Sequence, residues 1–332
     1  MPTLTKIRPA AALPGGEIEI EGTDLGPELT AQIAGVPALV TLARSTRATL
    51  KVPEGTLPGN VIVSSRGQRS NPLPLAVGVP LAENLHPVAN PAVDAQGRVY
   101  TTLSGSRGQQ TPVSIFRIGP MSGSIHELRP FARDILNPSG LAFGPDGDLF
   151  VSSRAEGTVV RISPAGKVTP FAEGLGIATG LAFDAAGDLY VGDRSGTIFK
   201  VRIAFATQPQ ETFVFATLEP SIAAYHLAFD SSGVLYCTGP TTASSQAIYA
   251  IDRDGSTRVF YRGLGRAQGM AFDPNDNLFV AASLNGQRGI VRITPTGNAS
   301  LVVSGVNLVG LCFLPGGKLG LTTRDSVFEV EI

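Results

Sequence analysis

A chain of 332 residues with 43% hydrophobic side chains can bury more than one sizeable core, so two domains are expected. Only 16% of the residues are charged, and the 39 glycines and 25 prolines suit short strands joined by tight turns rather than long solvated helices. The net charge is -1, divided as 7 basic against 6 acidic residues up to Val77 and 19 against 21 beyond it, which excludes a phosphate-backbone reader and leaves no nucleic-acid partner to expect.

The N-terminus has no apolar run behind its basic residues, and the longest apolar stretch, 73–82, is interrupted by prolines and too short to span a bilayer. The sequence therefore predicts a soluble chain without an export signal or membrane span, cytoplasmic by default. From the start to residue 76 it alternates polar and apolar residues between Gly and Pro punctuation: GGEIEIEGTDL at 15–25, AQIAGVPALV at 31–40, ATLKVP at 48–53 and LPGNVIVSS at 57–65. These are period-2 strands. The segment resembles the TIG or IPT domain, an immunoglobulin-like fold, through Gly15, Gly16, Ile18, Ile20 and Gly22 and through the PG-x-V-x-V hairpin at 58–63. The resemblance implies an interaction or spacer module over residues 1–76.

Beyond the boundary at residue 77 the chain repeats. PAVDAQGRVY at 91–100 is followed by GLAFGPDGDLFV at 140–151, GLAFDAAGDLYV at 180–191, HLAFDSSGVLY at 226–236, GMAFDPNDNLFV at 269–280 and GLCFLPGGKLGL at 310–321. Taking Val93, Phe143, Phe183, Phe229, Phe272 and Phe313 as equivalents, the spacings are 50, 40, 46, 43 and 41 residues, the period of a propeller blade. Each repeat offers an inner strand, a turn opened by Asp or Pro and completed by Gly, and further alternating strands such as TVVRIS and KVTPFAEG. The recurring turn aspartates lack the alternating oxygen ligands of a calcium loop and read as hairpin turns. The last repeat stops after its third strand at Ile332, and VGVPLAENL at 77–85 resembles the outer strand VTPFAEGL at 168–175. We therefore expect an all-β chain, an immunoglobulin-like β-sandwich at 1–76 followed by a six-bladed propeller at 77–332, with 77–85 completing the last blade and leaving no free edge.

The repeats resemble NHL-type propellers and, more distantly, the gluconolactonase family. That second resemblance implies a lactone hydrolase with a divalent metal such as calcium, held over the channel by Glu, Asn and Asp near the inner-strand starts, where it polarises the carbonyl and activates water. The matching positions are Ala89, Ser139, Thr179, Tyr225, Gln268 and Val309, none of them a carboxylate. No cofactor is therefore expected, and calcium enters only under this alternative, for which Glu83, Asp193 or Glu156 would have to reach the channel.

The three histidines share no metal-ligand spacing: His86 lies near the closing strand, His126 in the outer region of the first repeat, and His226 at an inner-strand start facing the channel. His226 reads either as a channel group or as a hydrogen-bonded structural residue. Cys237 and Cys312 fall in different repeats and read as buried thiols. Arginine exceeds lysine by 21 to 5, through composition bias or anion recognition.

The candidate ligand site is a channel mouth lined by Asn90, Ser139, Thr179, Tyr225, His226 and Gln268. Arg154, Arg194 and Arg324 share one repeat position at its rim, with Arg107 and Arg288 in longer loops. Either these guanidiniums recognise an anion, or they are solvated and paired with Glu156, Asp193 or Asp325. The expected function is a non-catalytic binding or scaffold propeller that takes a small polar or anionic ligand or a protein partner, with lactone hydrolysis as the alternative.

Overall fold

The computed structural model describes residues 1–26, 28–119, 127–202, 210–239, 241–243 and 245–332, which leaves His126 outside the described residues. These are strands and turns, with a single short 3-10 turn at Pro315–Gly317. Among the described residues no helix is long and apolar enough to cross a membrane.

In the N-terminal region, alternation turns into two-faced strands. Along Glu17–Thr23 the side chains of Ile18 and Ile20 are buried while Glu17 is exposed. Val36–Ala43 pairs both with Leu29–Ile33 and with Arg47–Lys51, so the sheet folds over on itself as a β-sandwich. It encloses Ile18, Ile20, Ile33, Leu50, Val61 and Val63 in one core. Gly22 is required where strands cross closely, since a Cβ there would lie 2.1 Å from the Thr3 carbonyl oxygen.

The repeats fold into a propeller whose innermost strands touch in sequence around a closed ring: Ala92–Val93, Pro138–Phe143, Ala178–Phe183, His226–Phe229, Met270–Phe272, Gly310–Phe313 and back to Ala92–Val93. Four self-contained four-stranded blades span 92–132, 138–172, 178–217 and 226–264; they are called here the first to the fourth. The fifth consists of Gly310–Phe313, Leu319–Thr322 and Val327–Val330, with Val79–Ala82 as its outer strand. There Val79 lies opposite Glu329 and Pro80 opposite Phe328, and the outermost position tolerates a proline that has no N–H to donate.

The remaining repeat is not a separate blade. Its strands, Met270–Phe272, Leu278–Leu284, Gln287–Ile293 and Ala299–Ser304, are one end of a thirteen-stranded sheet whose other end is the N-terminal region. The joint is the two-residue strand Ala11–Ala12, parallel both to Val303 and Ser304 and to Ala76 and Val77. The expected six-bladed ring beside a separate TIG/IPT-type sandwich is corrected accordingly: five blades are self-contained, and the sandwich strands are continuous with an arm of the ring. The physical reason is that Ala11–Ala12 gives the outer edge of Ala299–Ser304 a partner it would otherwise lack. Leu13 N donates to Ser304 O at 2.7 Å, and the Leu13 side chain is buried with Ile290, Val303, Leu308 and Leu321.

The repeated aromatic positions explain how neighbouring units pack. Tyr100, Phe150, Tyr190 and Tyr236, each on a second strand, stand edge-to-face against a Phe of their own outer strand (Phe131, Phe171, Phe215, Phe260). They do the same against the inner-strand Phe of the next unit (Phe143, Phe183, Phe229, Phe272). Each contact contributes about 0.5–1.5 kcal/mol beyond the area it buries. At the opposite end from the inner-strand starts, the turn aspartates cap their own hairpins: Asp184 accepts from Ala186 N at 3.0 Å and Asp188 N at 2.9 Å, and Asp230 and Asp273 repeat the pattern. Their oxygens are committed to turn geometry. Both cysteines are free thiols. Burial pushes the Cys312 thiol up to about 12 and Cys237 higher still.

Candidate functional site

The stretch leading into the inner strand reaches the mouth in every repeat, joined in four of them by a residue at the junction of the second and third strands (Arg154, Arg194, Arg288, Arg324). Side-chain hydroxyls on second strands fix the entrance of the next unit. Ser152 Oγ donates to Thr179 O at 2.5 Å, Thr238 Oγ1 to Gln268 O at 2.7 Å and Thr322 Oγ1 to Ala89 O at 3.0 Å. Three positions matching the metal-ligand sites of the resembled family thus spend their carbonyls on the ring joints. The loops are tied down similarly: Arg154 N donates to Asn137 O at 3.3 Å and Arg194 N to Ile177 O at 3.2 Å.

The mouth encloses a cavity of about 490 Å³. Of the residues expected there, Ser139, Thr179, His226, Gln268, Arg154, Arg194 and Arg324 line it. Arg288 lines it as well, whereas Arg107 is exposed and is not among the lining residues. Asn90 and Tyr225 are likewise absent from the lining, for a visible reason. Asn90 is a clamp within the ring: its Nδ2 donates to Met270 O at 2.8 Å while its Oδ1 accepts from Leu311 N at 3.1 Å. Tyr225 is buried, its hydroxyl donates to Glu219 O, and its backbone N–H donates to Thr179 Oγ1 at 3.1 Å. Sequence reading missed Arg266 and His86, both of which line the cavity. Arg266 lies two residues before Gln268, in the entrance segment rather than the loop position shared by the other arginines; that proximity was the available signal.

The electrostatics are one-sided. Arg154, Arg194, Arg266, Arg288 and Arg324 converge on the cavity, and among the described residues no Asp or Glu lines it. Among the described residues none of the five forms an ion pair. The carboxylates expected to neutralise them are engaged elsewhere. Asp193 accepts from Ile177 N at 2.7 Å and from the Ser195 hydroxyl, which Gly176 permits because a Cβ there would sit 2.6 Å from the carboxylate. Asp325 accepts from Thr323 Oγ1 at 3.1 Å and Ser326 Oγ at 3.0 Å, and Glu156 is exposed. Arg154 is half-buried and reaches Ser104 Oγ at 3.3 Å. Burial, and then the neighbouring Arg194 charge, hold its guanidinium below the usual arginine range.

Two buried groups complete the site. Ser139 is 1% exposed, and its hydroxyl oxygen has no hydrogen-bond partner among the described residues, which costs about 1–3 kcal/mol unless a ligand or water satisfies it. His226 is 4% exposed, and burial lowers its imidazole to about 4, so it is neutral at pH 7. His86 Nδ1 contacts Ser104 O.

Among the described residues no three His, Cys, Asp or Glu side chains gather where they could hold a metal ion. Glu83, Asp193 and Glu156 do not reach the cavity lining. Guanidinium groups beside Ser, Thr and Gln are the wrong donor set for a hard dication such as calcium.

The fold belongs to the class of all-β multi-bladed propellers. It is similar over 99% of this chain and 97% of the other to an auxiliary nutrient binding protein from Bacteroides thetaiotaomicron, with 12% identity and a TM-score of 0.58. It is also similar to a structure carrying a provisional gluconolactonase assignment, with 18% identity over 77% of this chain and 92% of the other and a TM-score of 0.60. Virginiamycin B lyase from Staphylococcus aureus matches over 77% of this chain and 98% of its own, with 15% identity and a TM-score of 0.54. At these identities the likeness is one of fold. No protein-family model and no curated protein sequence matches the chain, so the expected TIG/IPT and NHL memberships are not carried further.

Proposed function

We propose that the chain binds a small anionic ligand at the propeller mouth. The observation that carries this reading is the convergence of five arginines, none of them ion-paired among the described residues, on one cavity without an acidic lining residue. Like charges held together by the fold repel one another, and an anion relieves that cost while gaining charge-assisted hydrogen bonds of about 1.5–3 kcal/mol each. The Ser139 hydroxyl and the neutral His226 ring add polar partners inside the same wall. The full-length likeness to a nutrient binding protein agrees with a binding role.

A second reading, turnover of a lactone or another cyclic ester, is favoured by the fold likeness to a gluconolactonase-assigned structure and to a lyase. In this chain it would have to proceed without a metal held by acidic ligands. His226 would accept a proton and the arginines would stabilise developing negative charge on oxygen.

The test is a calorimetric titration of citrate into the wild-type protein and into the Arg154→Gln, Arg194→Gln, Arg324→Gln triple variant. Binding by the wild type and its loss in the variant are expected; equal affinity in both would refute the reading. A pH-stat assay on a lactone panel separates the second reading, which requires turnover that disappears in His226→Gln.

A further inference from the structure

The order of units round the ring divides the mouth's five arginines into two groups, with Arg266, in the segment leading into Met270–Phe272, on the side of Arg288, beside which it lines a smaller hollow. Arg154 and Arg194 follow the second strands of the second and third blades, whose inner strands Pro138–Phe143 and Ala178–Phe183 are in contact. Arg288 lies on the third strand of the arm and Arg324 between the second and third strands of the fifth blade, and their inner strands Met270–Phe272 and Gly310–Phe313 are also in contact. On one way round, the two groups are separated by the fourth blade, which contributes Ile222 and Ala223 to the cavity. On the other way round they are separated by the first blade, at whose entrance Pro87 and Val88 line the wall. Two cationic poles therefore face each other across a mouth whose other two sides carry apolar groups beside one histidine each, His226 on the fourth-blade side and His86 on the first-blade side.

Building on the anionic-ligand reading, we propose that the ligand is a bis-anion with separated charged ends, a dicarboxylate-type molecule spanning the mouth between the Arg154–Arg194 pole and the Arg288–Arg324 pole. A compact single anion would neutralise one pole and leave the other unrelieved. With both ends charged, the second contact becomes intramolecular once the first has formed, which raises affinity steeply when the ligand's length matches the gap. The unpartnered, buried Ser139 hydroxyl belongs to the blade that carries Arg154, so the first pole holds a neutral donor beside its two guanidiniums. Ile222, Ala223, Pro87 and Val88 between the poles suit a largely hydrocarbon body, with His226 and His86 leaving room for a single polar group on it.

The experiment is a calorimetric series at pH 7.5 with α,ω-dicarboxylates from succinate to sebacate, each beside the monocarboxylate of the same length. It is repeated on the Arg154→Gln, Arg194→Gln and the Arg288→Gln, Arg324→Gln double variants, with melting curves confirming that both are folded. At the matching length the dicarboxylate is expected to bind at least about tenfold tighter than its monocarboxylate, and each double variant to remove that advantage. Equal affinities throughout the series, or a dicarboxylate advantage that survives in either double variant, would overturn the two-pole geometry while leaving anion binding intact. No carboxylate binding by the folded wild type would sink both readings together.

Discussion

Basic side chains at the two ends of the blades meet different surroundings. At the turn end, many have an acid: Arg98 with Asp94, Arg161 with Asp146 at 2.7 Å and with Asp148, Lys200 with Asp188 at 2.9 Å, Arg258 with Asp252 at 3.4 Å and Lys318 with Glu329 at 2.6 Å. At the mouth, five arginines share a cavity and none has an acid among the described residues. The turn-end pairs follow from hairpin chemistry, since the capping aspartates of one turn lie beside the basic residue of the adjacent strand. The mouth has no such local reason for its composition. Uncompensated charge gathered at one end of an otherwise balanced fold is what recognition of an oppositely charged ligand requires.

The comparison is broken most severely at the mouth itself. The Arg154, Arg194, Arg324 triple glutamine variant is expected to lose citrate affinity by about a hundredfold or more, since each charge-assisted contact contributes about 1.5–3 kcal/mol. Its melting temperature should change little, because relief of mutual repulsion offsets the loss of the Arg154–Ser104 and Arg194–Ser221 hydrogen bonds; calorimetry and thermal melts read the two effects separately.

A second effect concerns the neutral ring among those charges. His226 titrates at about 4 in the fold, against an ordinary 6.5, because burial disfavours the imidazolium. Below pH 6.5 the unfolded chain therefore binds a proton that the folded chain refuses. Stability is constant above pH 6.5 on this account and falls as the pH drops from 6.5 towards 4, by an amount on the order of 3 kcal/mol at the lower end. Urea melts between pH 7 and pH 4.5 should show that slope, and His226→Gln should flatten it.

The smallest effect belongs to the turn end. Arg161→Gln breaks two partly exposed ion pairs, to Asp146 and Asp148, and is expected to cost about 1 kcal/mol with citrate affinity unchanged. A change in citrate affinity there would mean that the anion site is not confined to the mouth.

Much of the architecture was legible because it repeats. The Phe and Asp positions recur with the repeat, and each does the same work in its own unit, as with Tyr190 against Phe215 and Phe229, or Asp184 capping its turn. The fusion of the N-terminal strands with the arm was not legible. It depends on Ala11 and Ala12, two residues with no periodicity of their own, pairing in parallel with residues near 303.

The site was legible where repeat position decides direction: Arg154, Arg194 and Arg324 follow or lie between equivalent second and third strands and reach one cavity. It was not legible where neighbouring entrance residues divide their tasks. Ser139, the equivalent of Ala89, stays at the cavity wall, while Asn90 stands one repeat position further on, where four other units carry Gly, and turns into the ring against Gly269 and Gly310 to bridge Met270 and Leu311.

The most direct measurement is an anomalous difference map from crystals grown at low salt and soaked in selenate. The account expects selenium peaks at the mouth, between Arg154 and Arg194 and beside Arg288 and Arg324. A mouth without peaks, in crystals where selenate is found elsewhere on the protein, would contradict it.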